Sequence, residues 1–159
     1  MDKVKALENI LDLQLGWVRA ADTRLAFVIS LATAMLTALA ALAPDSSKWT
    51  ILSGIFCTIS AILIICSIVF STLAFFPRTK GPKGSCVFFG GINDREQEQY
   101  LKALLELSEE DYISDLSNQC HRNAQIAHKK YSWAQKATAL LLLVICPWLI
   151  SIYLLYSTS

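Results

Sequence analysis

Hydrophobic and polar positions divide this chain into two regimes. Residues 25–43, 49–76 and 137–159 hold no Asp, Glu, Lys or Arg, and uncharged apolar blocks of that length predict membrane-crossing helices. The shortest block has nineteen residues, which reach about 28 Å as a helix, close to one hydrocarbon thickness. Elsewhere apolar residues recur at helical spacing among charged ones. Val4, Leu7, Ile10 or Leu11, Leu13 and Trp17 form a stripe opposite Lys5, Glu8 and Asp12, which predicts an amphipathic helix packed on the other polar segments. A helix lying on a membrane surface would carry a more basic polar face. No Pro or Gly interrupts residues 17–43, so the helix of residues 1–24 should continue into the first span, with the border at Arg24 and a looser joint at Gly16.

The second span, 49–76, exceeds one bilayer thickness and implies tilt or projection beyond the lipid. Pro44 and Asp45 supply turn chemistry before it, and residues 77–84 break the helix in a basic, flexible corner. Residues 86–92, CVFFGGI, are a short apolar run closed by two glycines. A lone strand is not stable by itself, so the expectation is a buried extended segment whose glycines permit close backbone approach. Residues 94–107 read as a helix with Tyr100, Leu101, Leu104 and Leu105 on its apolar side. Ser108 followed by Glu109, Glu110 and Asp111 is a capping signal. From there Ile113, Leu116, Cys120, Ala124, Ala127, Tyr131 and Ala134 keep one stripe into the third span, 137–157, which Pro147 should kink. The predicted class is an all-α membrane protein with three transmembrane helices. A small cytosolic helical part consists of extensions of the first and third spans plus the rest of segment 77–136.

Composition strengthens this reading. Apolar residues make up 54% of the chain, above the 45–50% usual for soluble domains. The net charge of +1 gives no reason to expect nucleic acid. Charge placement is more informative: thirteen of the fourteen Lys and Arg precede the first span or separate the second from the third. The basic side should be cytoplasmic, which predicts a cytoplasmic N-terminus and a periplasmic C-terminus. An acidic helical segment precedes the first span, unlike a cleaved leader, so that span should be retained. Cys57, Cys66, Cys86, Cys120 and Cys146 lack paired spacing. That argues against zinc and against a disulfide framework, and for apolar fillers in a reducing compartment.

Enzyme signatures, metal clusters and cofactor motifs are missing from the sequence. His121 and His128 are seven apart, whereas helical metal ligands are normally four apart, and no carboxylate lies near them. In the first span Ala26, Ser30, Ala34 and Ala38 recur every four residues, and small residues let helices approach closely in lipid. This row could serve packing within one chain or between subunits of a homo-oligomer. Lys129, Lys130, Trp133 and Lys136 suit the headgroup zone. Arg19, Asp22 and Arg122 lie farther from the lipid, where an ion pair or an anion site could form. Asp22, which would repel a phosphate, and Arg24 are structural-partner candidates.

GWVRAADTRLAFVISLATAML, CVFFGGI and YLKALLELSEEDYISDLSNQCHRNAQIAHKKYSWAQKATALLLL together resemble the transmembrane effectors of Pycsar antiphage systems. The most specific parts are residues 19–24, the Phe88-Phe89-Gly90 run, Gln119 with His121, Ile126-Ala127 and Lys130-Tyr131. The resemblance implies a multi-pass effector of the bacterial inner membrane. A partner pyrimidine cyclase would make cCMP or cUMP on infection, and the effector would sense it and impair the membrane, arresting or killing the host cell. Such a ligand has one phosphodiester charge and one base, which one Arg, an aromatic face and a few amide-type donors could hold. The candidates are Arg19, His121, Arg122, Asn123, Phe88, Phe89 and Gly90. The alternatives are a ligand-independent, holin-like or structural membrane protein, an effector gated by a cyclic oligonucleotide, and a membrane enzyme.

Overall fold

The computed structural model describes residues 2–76, 81–82 and 84–158. Its helices are α1 (Lys3–Ala41), α2 (Ile51–Phe75), α3 (Phe89–Asn93), α4 (Gln97–Leu105) and α5 (Glu109–Thr158), with a 3-10 turn at Ser46–Lys48. No strand occurs among the described residues. Helices α1, α2 and α5 are long and apolar enough to cross a membrane, so the all-α class and the three spans are as the sequence predicts.

Local chemistry explains where the helices begin. Asp2 Oδ1 accepts the Val4 amide at 3.1 Å and starts α1. Thr50 and Ser53 form a reciprocal capping box at the head of α2, each side chain accepting the other's backbone N–H at 3.1 Å. Ser108 Oγ accepts the Asp111 amide at 3.1 Å, and Glu109, Glu110 and Asp111 complement the positive end of α5. Gly16 and Pro147 both lie inside continuous helices.

Two expectations for the connecting segment change. Residues 86–92 are not extended throughout: bends carry the chain to Phe88, and Phe89–Asn93 then closes the single turn α3. The helix expected over 94–107 is shorter, because Glu96 is its N-cap. Pro77, Arg78, Thr79, Lys80 and Lys83 of the basic corner lie outside the described residues.

The chain divides into two compact units, Met1–Ala20 with Pro77–Lys129 and Ala21–Phe76 with Lys130–Ser159. In the apolar unit Val28, Ala32, Met35, Leu39, Ile64, Ala137, Leu141, Val144 and Leu155 form the core. Asp22 pairs with Lys130, and Trp148 Nε1 donates to Met35 O at 3.0 Å, so α1 and α5 run in the same direction. Helix α2 runs against them: Ser67 Oγ donates to Ala137 O at 2.8 Å, and Ser60 and Ser151 hydroxyls meet at 3.2 Å. The buried face of α2 carries Ser53, Ser60, Ile64, Ser67, Ser71 and Ala74. Serine at every seventh position, Ser53, Ser60 and Ser67, thus lies along the close contact. Ala26, Ser30 and Ala34 of α1 are exposed and Ala38 is half-buried. The inward row is Ala21, Leu25, Val28, Ala32, Met35 and Leu39.

In the polar unit Leu116, Cys120 and Ala127 of α5 are buried, whereas Ala124 of the predicted stripe is exposed. The Cys120 thiol donates to Leu7 O at 3.7 Å, and burial raises its pKa. Tyr112 donates to Glu8 Oε1 at 3.0 Å. The inward face of α1 centres on Leu7, Leu11 and Gln14, leaving Ile10, Leu13 and Trp17 exposed. The predicted stripe therefore faces inward in part only. Leu101, Leu104 and Leu105 of α4 are exposed too.

Candidate functional site

The sequence between Gly84 and Tyr100 folds into a hydrogen-bonded knot on α5. Asp115 and Gln119, one turn apart on that helix, reach the same segment. Asp115 Oδ2 accepts the Cys86 amide at 2.8 Å, and Gln119 Nε2 donates to Ser85 Oγ at 3.2 Å. The same Ser85 oxygen accepts the amides of Val87 at 3.1 Å and Phe88 at 2.8 Å. Arg95 donates to the carbonyls of Gly84 and Ser85, and Tyr100 donates to that of Cys86 at 3.1 Å. These bonds satisfy backbone groups that would otherwise be buried without partners.

Close packing then fixes Phe88. A β-carbon on Gly81 would fall 2.3 Å from its ring, and one on Gly90 would fall 2.5 Å away. Only glycine fits at these approaches without displacing the ring. The Phe88 and Phe89 ring centroids are 4.4 Å apart, tilted by 50°.

Beside this aromatic pair lies an open cleft of about 450 Å³ lined by Gly81, Pro82, Asn118, His121 and Arg122. Asn118, His121, Arg122 and Gln125 recur at three- and four-residue spacing, hence on one face of α5. Gln125 links two of them: its Oε1 accepts from Arg122 Nη1 at 3.2 Å, and its Nε2 lies 2.9 Å from His121 Nε2. The cleft offers a guanidinium, an imidazole and a carboxamide along one wall, with Gly81 and Pro82 along the other. That set suits a small anion with further hydrogen-bonding groups.

The structure thus brings together His121 and Arg122, with Phe88 packed on Gly81 next to them. Phe89 is exposed, and Gly90 serves the packing of Phe88. Asn123 is half-buried and does not line the cleft, and Arg19 is exposed on α1 and does not line it either. Asp22 forms an ion pair with Lys130. Arg24 lines a separate apolar groove. Sequence reasoning missed Asn118, Gly81 and Pro82. Counting three and four residues back from His121 and Arg122 would have found Asn118, whereas only tertiary packing reveals the two loop residues.

Comparisons with known proteins cover most of the chain. Residues 6–157 match the family described as PycTM, Pycsar effector protein domain. Among curated proteins, Pycsar effector protein PtPycTM of Propioniciclava tarda is 27% identical over 137 residues, spanning 80% of this chain and 68% of that protein. No solved structure matches the chain.

Proposed function

The chain belongs to the Pycsar effector family, which implies an effector of antiphage defence, and from this premise we propose that it is gated by a cyclic pyrimidine mononucleotide. On this reading a neighbouring pyrimidine cyclase supplies cCMP or cUMP, and the bound effector impairs the bacterial inner membrane without chemistry of its own. The observation that carries the reading is the cleft in which Asn118, His121 and Arg122 share one wall. Arg122 would hold the phosphodiester and Asn118 and His121 the polar edge of the base or ribose, with Gly81 and Pro82 along the other wall.

Gating needs a preference of the ligand for one state over another. A shift from 1% to half population takes about 2.7 kcal/mol, and one charge-assisted hydrogen bond contributes about 1.5–3 kcal/mol. Arg122 lies on α5, which runs unbroken to Thr158, so a rearrangement at the cleft has a continuous helix through which to act. The charge asymmetry supports a cytoplasmic N-terminus and a periplasmic C-terminus. The exposed small residues Ala26, Ser30 and Ala34 support a homo-oligomer, in which Ala34→Leu should disturb assembly on sizing in detergent.

Calorimetric titration of cUMP and cCMP into the detergent-solubilised chain tests the site. Arg122→Gln should weaken binding at least about tenfold, while Arg19→Ala should leave it within about threefold. Unchanged affinity in Arg122→Gln would remove the cleft from consideration. Binding of neither nucleotide by the intact chain would remove the gating scheme.

A further inference from the structure

We propose that the groove between α1 and α5 in the apolar unit is a binding site for one phospholipid with an anionic headgroup. The groove holds about 690 Å³ and is lined by residues of both helices between Ala21 and Val28 and between Tyr131 and Leu142. That volume is ample for a small amphiphilic ligand. Its position along the helices selects the kind of molecule. The uncharged stretches begin at Leu25 on α1 and Ala137 on α5, and the pairing of Asp22 with Lys130 and of Met35 with Trp148 sets these two residues at nearly the same level. The groove therefore straddles the polar border. Above it stand Thr23, Arg24, Tyr131 and Gln135; below it stand Leu25, Phe27, Val28, Thr138, Ala139 and Leu142. From 131 to 142 the α5 wall measures about 17 Å, of which about 8 Å lies beyond residue 137. A phospholipid has this division: a charged head above and an acyl chain below.

Charge and length both favour lipid over a second copy of the chain. At the border of this unit Arg24, Lys130 and Lys136 face one acid, Asp22, which Lys130 already engages. Arg24 is exposed and makes no ion pair among the described residues. Basic recesses between spans suit anionic headgroups, whereas another copy would bring a further Arg24 towards the first. A partner helix would also need a seat along most of the roughly 30 Å hydrocarbon core, and the groove stops at Leu142. The long Arg24 side chain can follow the headgroup upward while its stem stays on apolar surface.

Native mass spectrometry of the full chain released from detergent tests this, with phosphatidylglycerol, phosphatidylethanolamine and inorganic phosphate titrated separately. The intact chain should retain one phosphatidylglycerol in preference to phosphatidylethanolamine. Arg24→Gln should reduce that preference about tenfold. Ala139→Phe, which fills the groove from an exposed position, should abolish retention of both lipids. Leu149→Phe, exposed and outside the groove, should behave as the intact chain, and circular dichroism should show each variant equally helical. Four results would each overturn the proposal: equal retention of the two lipids by the intact chain, full retention by Ala139→Phe, displacement of lipid by an equal concentration of inorganic phosphate, or a lipid-free dimer that loses its partner in Ala139→Phe.

Discussion

Alanine substitutions at three glycines should have three different effects, because the space around each glycine differs. At Gly91 a β-carbon would lie 2.4 Å from the Ser85 carbonyl oxygen and 3.0 Å from its nitrogen. Ordinary contact begins near 3.4 Å, so the Ser85 backbone must retreat by 3.4 − 2.4 = 1.0 Å. Ser85 receives the Val87, Phe88 and Gln119 hydrogen bonds, and such a displacement would lengthen them. Overpacking costs about 1–3 kcal/mol and each weakened bond about 0.5–1.5 kcal/mol, so Gly91→Ala should destabilise the knot by about 2–4 kcal/mol. At Gly90 the obstacle is the Phe88 ring, 2.5 Å away, which can turn aside, so the cost should be smaller. At Gly16 nothing lies within 4 Å, and alanine should stabilise α1 by about 0.5–1 kcal/mol through helix propensity. Hydrogen exchange on the full chain reads this directly. In Gly91→Ala the Val87 and Phe88 amides should exchange about 30-fold faster for a 2 kcal/mol loss. Unchanged exchange across residues 85–93 in Gly91→Ala, or a Gly16→Ala variant as damaged as Gly91→Ala, would refute the packing argument.

Other expectations follow from single contacts. Lys130→Met should destabilise the apolar unit by about 1–3 kcal/mol, because it leaves the two-thirds-buried Asp22 without its partner; pairing it with Asp22→Leu should recover most of that loss in detergent unfolding. A double-mutant cycle on Ser60→Ala and Ser151→Ala should give a coupling of only about 0.6 kcal/mol, the usual scale for hydroxyl contacts in lipid, and a value above about 2 kcal/mol would contradict it. The Tyr112 pKa is raised by burial and then by its bond to Glu8. The folded state therefore holds that proton more tightly, and stability should fall as pH rises from about 10 through the folded value. Tyr112→Phe should lose this component of the alkaline decline, measured as the difference between the two unfolding curves.

The spans were legible because uncharged length alone identifies them, and the caps at Ser108 and the continuity through Arg24 were legible because they depend on neighbours in sequence. Failures arose where partners are distant. The stripe through Ile10, Leu13 and Trp17 has helical period, but the period does not say which of two adjacent rows turns inward; Gln14 takes a buried place while Trp17 stays exposed. The run at 86–92 carries no helical period, and its turn at Phe89–Asn93 is set by the adjacent Ser85, itself held with Cys86 by Asp115 and Gln119 from a distant part of the chain. For the candidate site, Arg122, His121 and Phe88 could be singled out by residue type. Their association depends on a loop glycine, Gly81, whose role is visible only once the Phe88 ring is packed against it.

The serine row of α2 gives this bundle a contact that can be undone at little cost. Ser151 donates its hydroxyl to Pro147 O at 2.8 Å, which makes Ser60 the donor in their mutual bond. If α2 and α5 part, Ser60 can turn to a carbonyl of its own preceding turn, as Ser71 already does with Ser67 O at 2.9 Å. No polar group is then stranded in hydrocarbon, where a missing hydrogen bond would cost several kcal/mol. Large apolar side chains locked together would resist separation through shape, and amide side chains through stranded donors. Serines do neither, so this seam allows a membrane bundle to exchange one packing for another without a polar barrier between them.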